Sequence, residues 1–277
     1  MKRSLVLWAL VVGCSDDGSA NVVTTTGATT GDSTSAAGTE GGSAGTDPSS
    51  TTTSGTTTDG TTVGSTAPPL TTSASAGSTG DNPDAPDVIY VNFDGGDFSA
   101  GMDDATADQA SVLISDTTVD PYGGTDQAQI LATIAADYAP FDVLVTDERP
   151  AMGPYAMVVI TPTDVVGVPG VAGVAPLDCG DAVRNNVAFV NTTVATDALM
   201  IGSVASSRLG STFGIENGTD SSDLSWGSLW GAGEDPSWVD SCIDVEFSPE
   251  CADEHAVYCP DGQQNGFAEL TDLFGPA

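Results

Sequence analysis

Thr196-Asp197-Ala198-Leu199-Met200-Ile201-Gly202-Ser203-Val204-Ala205-Ser206-Ser207-Arg208-Leu209-Gly210-Ser211-Thr212-Phe213, closed by Gly214, is the stretch on which the reading of this 277-residue chain turns. Leu199, Ile201, Val204 and Leu209 mixed along it predict a helix from about Thr196 to Phe213, and Gly214 is a natural residue to end it. Upstream, Val187 to Val190, Ala156 to Ile160 and Phe141 to Val145 are short apolar runs that predict strands. A second helix is expected from a cap at Thr125 to about Tyr138, with Ile130, Leu131 and Ile134 at helical spacing and Pro140 ending it. Val88-Ile89-Tyr90-Val91-Asn92-Phe93, stopped by Asp94-Gly95-Gly96, predicts a buried first strand and a turn. Thr161 to about Asn186 reads as a long Gly/Pro-rich loop, and a last short helix is expected near Phe267 to Phe274. Strands alternating with helices over residues 87–277 give one domain of α+β, or mixed α/β, class.

The residues before this domain read differently. Met1-Lys2-Arg3 is cationic, and Leu5 to Val12 is apolar but far short of the ~20 residues that span a bilayer. Residues 1–13 therefore read as a secretory signal, and Val11-Val12-Gly13-Cys14 resembles a bacterial lipobox, in which Cys14 is diacylated and becomes the new N-terminus. Two or three acyl chains on one Cys would hold the chain stably at a membrane. Residues 14–86 are Thr, Ser, Gly and Ala with scattered Asp, too polar to offset the entropy of ordering, and read as a disordered stalk. Such a stalk would hold the domain on the order of 45 Å from its anchor. The expected place is the cell envelope, at the outer membrane or cell surface.

Charge excludes several partners. The chain carries 39 Asp+Glu against 5 Lys+Arg, and removal of the signal leaves only Arg149, Arg184 and Arg208 as cations. Phosphate backbones and anionic lipid surfaces both need cationic partners, so nucleic acid is excluded and the membrane contact is the lipid itself. With His255 as the single histidine, any metal motif that needs two is absent. Cys14 aside, Cys179, Cys242, Cys251 and Cys259 remain, an even count that predicts two disulfides in an exported chain. Short separations favour pairing within the tail, and Cys179 has no assigned partner.

Several short words carry a resemblance. They are Tyr90-Val91-Asn92-Phe93-Asp94-Gly95-Gly96, Asp103-Asp104-Ala105, Pro121-Tyr122-Gly123-Gly124-Thr125, Tyr138-Ala139-Pro140-Phe141-Asp142-Val143, Gly170-Val171-Ala172-Gly173-Val174-Ala175 and Gln264-Asn265. With the order strand, helix, two strands, strand, helix closing at Gly, the domain resembles the metzincin type of zincin metallopeptidases, and in particular metallopeptidase-like domains of myxobacterial lipoproteins. That resemblance implies a zincin-like twisted sheet, a central active-site helix and a disulfide-bonded C-terminal region.

The family's motif H-E-x-x-H-x-x-G-x-x-H binds zinc through its histidines and activates water through its Glu. Set on Gly214, it falls on Ser207, Arg208, Ser211 and Asn217. The turn glycine is kept, the metal-ligand positions are Ser207, Ser211 and Asn217, and the general-base position is Arg208. Asp223-Leu224-Ser225 stands where the family makes its Met turn. Neutral hydroxyls and an amide are poor zinc ligands, and a fixed positive charge beside them disfavours a dication further. Neither zinc nor a catalytic residue is therefore expected, and Arg208 is expected to pair with a carboxylate.

Other chemistry is weaker. Ser207 or Ser211 with His255 would need a nucleophile elbow that is not there. Asp94, Asp97, Asp103 and Asp104, or Glu216, Asp220 and Asp223, offer oxygen ligands to calcium at no recognised spacing. Trp226, Trp230 and Trp238 either line a ligand cleft or cover the core. The expected function is a surface lipoprotein with a catalytically inactive metallopeptidase-like domain that binds a protein, peptide or glycan. The alternatives are an active hydrolase with atypical site residues and a calcium-dependent adhesion module.

Overall fold

The computed structural model describes residues 88–277 together with Leu7–Trp8, and all of them belong to one unit. Cys14 and the stalk lie outside the described residues. Among the described residues no helix is long and apolar enough to cross a membrane.

The frame is a six-stranded sheet in the order β1-β8-β9-β7-β2-β6, built from β1 (Leu7–Trp8), β2 (Val88–Asn92), β6 (Leu144–Thr146), β7 (Ala156–Thr161), β8 (Gly173–Pro176) and β9 (Val187–Asn191). Strands β6, β2, β7 and β9 run parallel, whereas β8 lies antiparallel to β9, with Gly173 opposite Val190, and β1 antiparallel to β8. The expected four strands are present, with the one from Phe141 beginning instead at Leu144. The expected loop from Thr161 to Asn186 contains β8, a strand too short and too rich in Gly and Pro nearby to show an alternating pattern.

The central strands read as unbroken apolar runs because both faces of the sheet are covered. Ile89, Val91, Ala156, Val158, Ile160, Ala188 and Val190 pack into one core, while Tyr90, Met157, Val159, Val187 and Phe189 turn into a second. The first core is closed by α1 (Gln127–Asp137) and α2 (Ala198–Thr212), which pack on each other. Helix α1 buries Ile130, Thr133, Ile134 and Asp137, one face of a 3.6-residue repeat. Its N-cap is Asp126 rather than Thr125, and the Asp126 carboxylate accepts the Tyr122 hydroxyl at 2.6 Å instead of capping the helix. The second core is covered by a three-stranded sheet of order β4-β3-β5, made of β3 (Gly96–Ala100), β4 (Gln109–Ala110) and β5 (Thr117–Val119). Phe98 of β3 meets Phe189 edge-on at 5.3 Å.

The tail adds a small ladder of β10 (Ile243–Asp244) and β11 (Gln263–Gln264), the single turn α3 (Ala252–His255) and α4 (Gly266–Phe274). Helix α4 begins where expected, capped by Asn265, whose side chain accepts Ala268 N at 3.0 Å. Its Phe274 packs edge-on against Phe213 at 5.0 Å, and Phe267 lies 5.4 Å from Phe141, so the tail closes the first core. Both expected disulfides are formed. Cys242–Cys259 joins two tail residues, and Cys179–Cys251 ties the tail to the loop after β8. Among the described residues the molecule is thus mixed α/β, with sheets of mixed orientation, four helices and a disulfide-bonded C-terminal region.

Candidate functional site

Helix α2 is buried on every side from Ile201 to Thr212. Asp197 opens it by accepting Met200 N at 3.1 Å. Its glycines set how closely neighbours approach. A Cβ on Gly202 would lie 2.6 Å from the Thr133 side chain of α1, and one on Gly210 would lie 2.5 Å from the Trp238 ring. Strand β8 is equally close, since a Cβ on its Gly173 would lie 2.8 Å from Arg208 Cγ. Between the helices, Ser206 Oγ donates to Asp137 Oδ2 at 2.5 Å and the Tyr138 hydroxyl donates to Ser206 O at 3.1 Å. Burial pushes the Asp137 carboxyl up to about 7 against the Ser206 bond, with Asp235 adding to the rise.

Gly214, at φ +93°, turns the chain out of the helix. The amides of Phe213 and Gly214 bond Gly210 O and Ser211 O, and Ile215 N returns to Gly210 O. Gln264 of β11 then clamps the next residue, donating to Glu216 O at 2.6 Å and accepting Glu216 N at 2.9 Å. This delivers Asn217 back to the helix. Arg208 Nη2 donates to Ser207 Oγ at 2.9 Å and to Asn217 Oδ1 at 3.1 Å, while Ser211 Oγ lies 3.5 Å from Ser207 O. Ser207, Arg208, Ser211 and Asn217 are all buried. The four residues on which the resembled motif falls therefore lie together, and the Arg208 guanidinium links Ser207 to Asn217.

The surroundings of Arg208 differ from the expected ion pair. Among the described residues, Arg208 has no carboxylate within ion-pair distance, and its partners are a neutral hydroxyl and an amide oxygen. Burial accordingly lowers it to about 10, which still leaves it charged at neutral pH. Asn217 and the residues near it carry polar atoms that make no hydrogen bond with the described residues. Asn217 Nδ2, Ser225 Oγ and Glu246 Oε2 are buried without a hydrogen-bond partner. They are neighbours, since a Cβ on Gly227 would run into Glu246 Oε2 and lie 3.1 Å from Asn217 Cβ, and one on Gly218 would meet Ser225 Oγ at 2.5 Å. Asp223-Leu224-Ser225 forms the turn beneath them. Asp223 accepts Ser225 N at 2.7 Å and Val239 N at 2.8 Å, and Ser225 O accepts Gly218 N at 2.8 Å.

His255 sits apart from the serines, in a network that sequence spacing does not reveal. Its Nε2 lies 3.0 Å from Glu216 Oε2 and its Nδ1 lies 3.0 Å from both Glu269 oxygens. Burial alone would lower it, but the two carboxylates outweigh that and lift it to about 9, so it is an imidazolium at neutral pH. Glu216 also accepts the amides of Glu250 and Cys251. The residues come from positions 216, 255 and 269, and the one available signal was a lone histidine in an acidic tail. With both ring nitrogens committed, His255 serves as a structural tie and not as a base for Ser207 or Ser211.

The acidic residues considered for calcium are turned to separate partners. Asp97 accepts the Thr118 hydroxyl, Asp103 accepts the Ser111 and Val187 amides, Asp104 caps the 3-10 turn at Ala105–Ala107, and exposed Asp220 accepts the Ser222 amide and hydroxyl. Among the described residues, one set of three potential ligands lies within 4.8 Å, namely Glu216, Cys251 and His255. Its sulfur is already bonded to Cys179 and its imidazole is shared with Glu269, so that set does not fit a metal ion. Trp230 and Trp238 are buried, and Trp238 lies against Gly210, so those two cover the core.

Comparison with protein-family models, with curated proteins and with solved structures gives no match for this chain.

Proposed function

We propose that this chain is a cell-envelope lipoprotein, anchored through Cys14, that displays a catalytically inactive metallopeptidase-like domain, and that the domain works by binding. The observation that carries the reading is the Arg208 bridge. A guanidinium spans Ser207 and Asn217, the positions of the first and third metal ligands in the motif, and supplies a single fixed positive charge at that place. Its chemistry differs from that of a metal ion, because a guanidinium donates hydrogen bonds but has no open coordination position at which to activate water. The close return of Asn217 after Gly214 and the packing of β8 alongside α2 both favour descent from such a site.

The ligand this arrangement favours is an extended peptide. Strand β8 already pairs its outer edge with an antiparallel segment, Leu7–Trp8, and that segment lies within the stretch that export would remove. The edge so freed would accept the backbone of another chain by strand addition.

The test is metal analysis of two proteins. The native chain should carry no stoichiometric zinc and cleave no casein. The variant combining Ser207→His, Arg208→Glu, Ser211→His and Asn217→His should gain zinc at a one-to-one ratio, because the backbone still aims those positions at one point. Stoichiometric zinc in the native chain, or a folded fourfold variant that binds none, would sink the reading.

A further inference from the structure

Where the loop after β8 meets the tail, four side chains of the kinds that bind zinc come together. Cys251 precedes the single turn α3 and His255 ends it. The four-residue step, closed by His255 N on Cys251 O at 3.0 Å, puts both on one face. Glu216 arrives from the chain beyond Gly214. One ligand atom each from Glu216, Cys251 and His255 lies within 4.8 Å of the others, and all three residues are buried. Cys179 Sγ is bonded to Cys251 Sγ and is therefore in the same place. Two sulfurs, an imidazole and a carboxylate make a tetrahedral zinc set by number and by kind.

These ligands are also held in aim by their neighbours. Glu269 lies 3.0 Å from His255 Nδ1, which leaves Nε2 facing Glu216 Oε2, also at 3.0 Å. A carboxylate on the far ring nitrogen is what orients a zinc-binding imidazole. Glu216 is fixed in turn by the amides of Glu250 and Cys251, the support that a ligating carboxylate needs. One covalent bond stands in the way. While Cys179–Cys251 is formed neither sulfur is a thiolate, and the set does not fit a metal ion.

We propose that Cys179, Cys251, Glu216 and His255 form a redox-gated zinc site, in which disulfide and metal are alternative ties between the loop after β8 and the tail. A dithiol reductant opens the bond from the Cys179 side, because Cys179 is half-buried and Cys251 fully buried. Its first thiolate attacks Cys179 Sγ and releases Cys251. Its second thiol attacks the mixed disulfide and releases Cys179. The reductant departs as a cyclic disulfide, and its two electrons and two protons remain as the Cys179 and Cys251 thiols. Zinc then displaces those two protons and the one on His255 Nε2, while Glu269 stays on Nδ1. The oxidised chain offers zinc nothing here, so this site is independent of Ser207, Ser211 and Asn217.

The test uses the full-length chain with Cys14→Ser, Cys242→Ser and Cys259→Ser, in which Cys179 and Cys251 are the only cysteines. It is titrated with zinc chloride against a chromophoric chelator, once oxidised and once reduced by a dithiol that is then removed without air. One zinc per chain is expected after reduction and none before it. In the reduced chain, His255→Gln should weaken zinc binding about a hundredfold and Glu269→Gln about tenfold, with circular dichroism confirming the fold. If His255→Gln does not fold, Glu269→Gln alone decides. If the reduced chain unfolds, one equivalent of zinc should restore its circular dichroism. The site is overturned by a reduced chain that neither binds one zinc nor refolds with it. Equal zinc binding by the oxidised chain, or affinity unchanged in a folded His255→Gln or Glu269→Gln, overturns it as well.

Discussion

The residues with the clearest energetic consequences are the ionisable groups under the sheet. Asp137 is buried between α1 and α2 and accepts one strong bond from Ser206. Its carboxyl titrates at about 7 in the folded chain against 3.8 for the ordinary group. A raised folded value means that the protonated acid is the favoured form. The stability it contributes is complete below about pH 4 and is lost as pH rises through 7. Asp137→Asn keeps an oxygen for Ser206 and cannot ionise. The variant should match the parent near pH 4 and exceed it by ~4 kcal/mol at pH 8, read by urea denaturation at both pH values. A variant that is less stable at pH 8 would show that the ionised carboxylate is compensated there. His255 was legible in the sequence only as a lone histidine between Cys251 and Cys259. Its two partners were not legible, because burial of Glu216 depends on the clamp by Gln264 across 48 residues.

At the scale of elements, α2 shows how a sequence of small residues becomes a central helix. Its Gly and Ser positions look poor for helix formation. Packing on all sides compensates, because each small residue admits a neighbour, Thr133 at Gly202 and Trp238 at Gly210. Its end is fixed more firmly still. Gly214 combines φ +93° with the close approach of the loop after β8, where a Cβ would lie 3.2 Å from Asp178 O. Gly214→Ala should cost ~2 kcal/mol in thermal or urea unfolding and weaken the return of Asn217 to Arg208. A neutral result would mean that the turn relaxes without strain. Strand β8 is the counter-example in legibility. Four residues beside Gly and Pro carry no periodic signal, and their strand character comes from pairing with β9.

For the whole molecule, the disulfides decide how firmly the tail is held. Cys179–Cys251 closes a separation of 72 residues and Cys242–Cys259 one of 17. By loop entropy the longer closure stabilises by about 1 kcal/mol more. The pair Cys179→Ser with Cys251→Ser should therefore lower the unfolding free energy further than Cys242→Ser with Cys259→Ser. The former should also loosen α4, seen as faster amide exchange at Leu270 and Phe274. Equal losses would place the difference in native-state strain or residual unfolded structure instead.

The sequence by itself determined the elements whose signal is local. Unbroken apolar runs gave the central strands, because a strand buried on both faces needs no alternation. Spacing of Ile130 and Ile134 gave α1, Gly214 ended α2, and an even cysteine count gave two disulfides. The grouping of Ser207, Arg208, Ser211 and Asn217 came from the resemblance, whose motif set on Gly214 falls on those four residues. Only the tertiary structure decided what surrounds that group. Whether Arg208 would find a carboxylate depended on which chain segments reach it, and the segments that arrive bring Asn217, Gly173 and Ser207 rather than an acid. The partner of Cys179 and the pairing of strand β8 were likewise set by contacts between residues far apart in sequence. Such contacts follow from how the sheet, the helices and the tail share one core, and no local pattern encodes them.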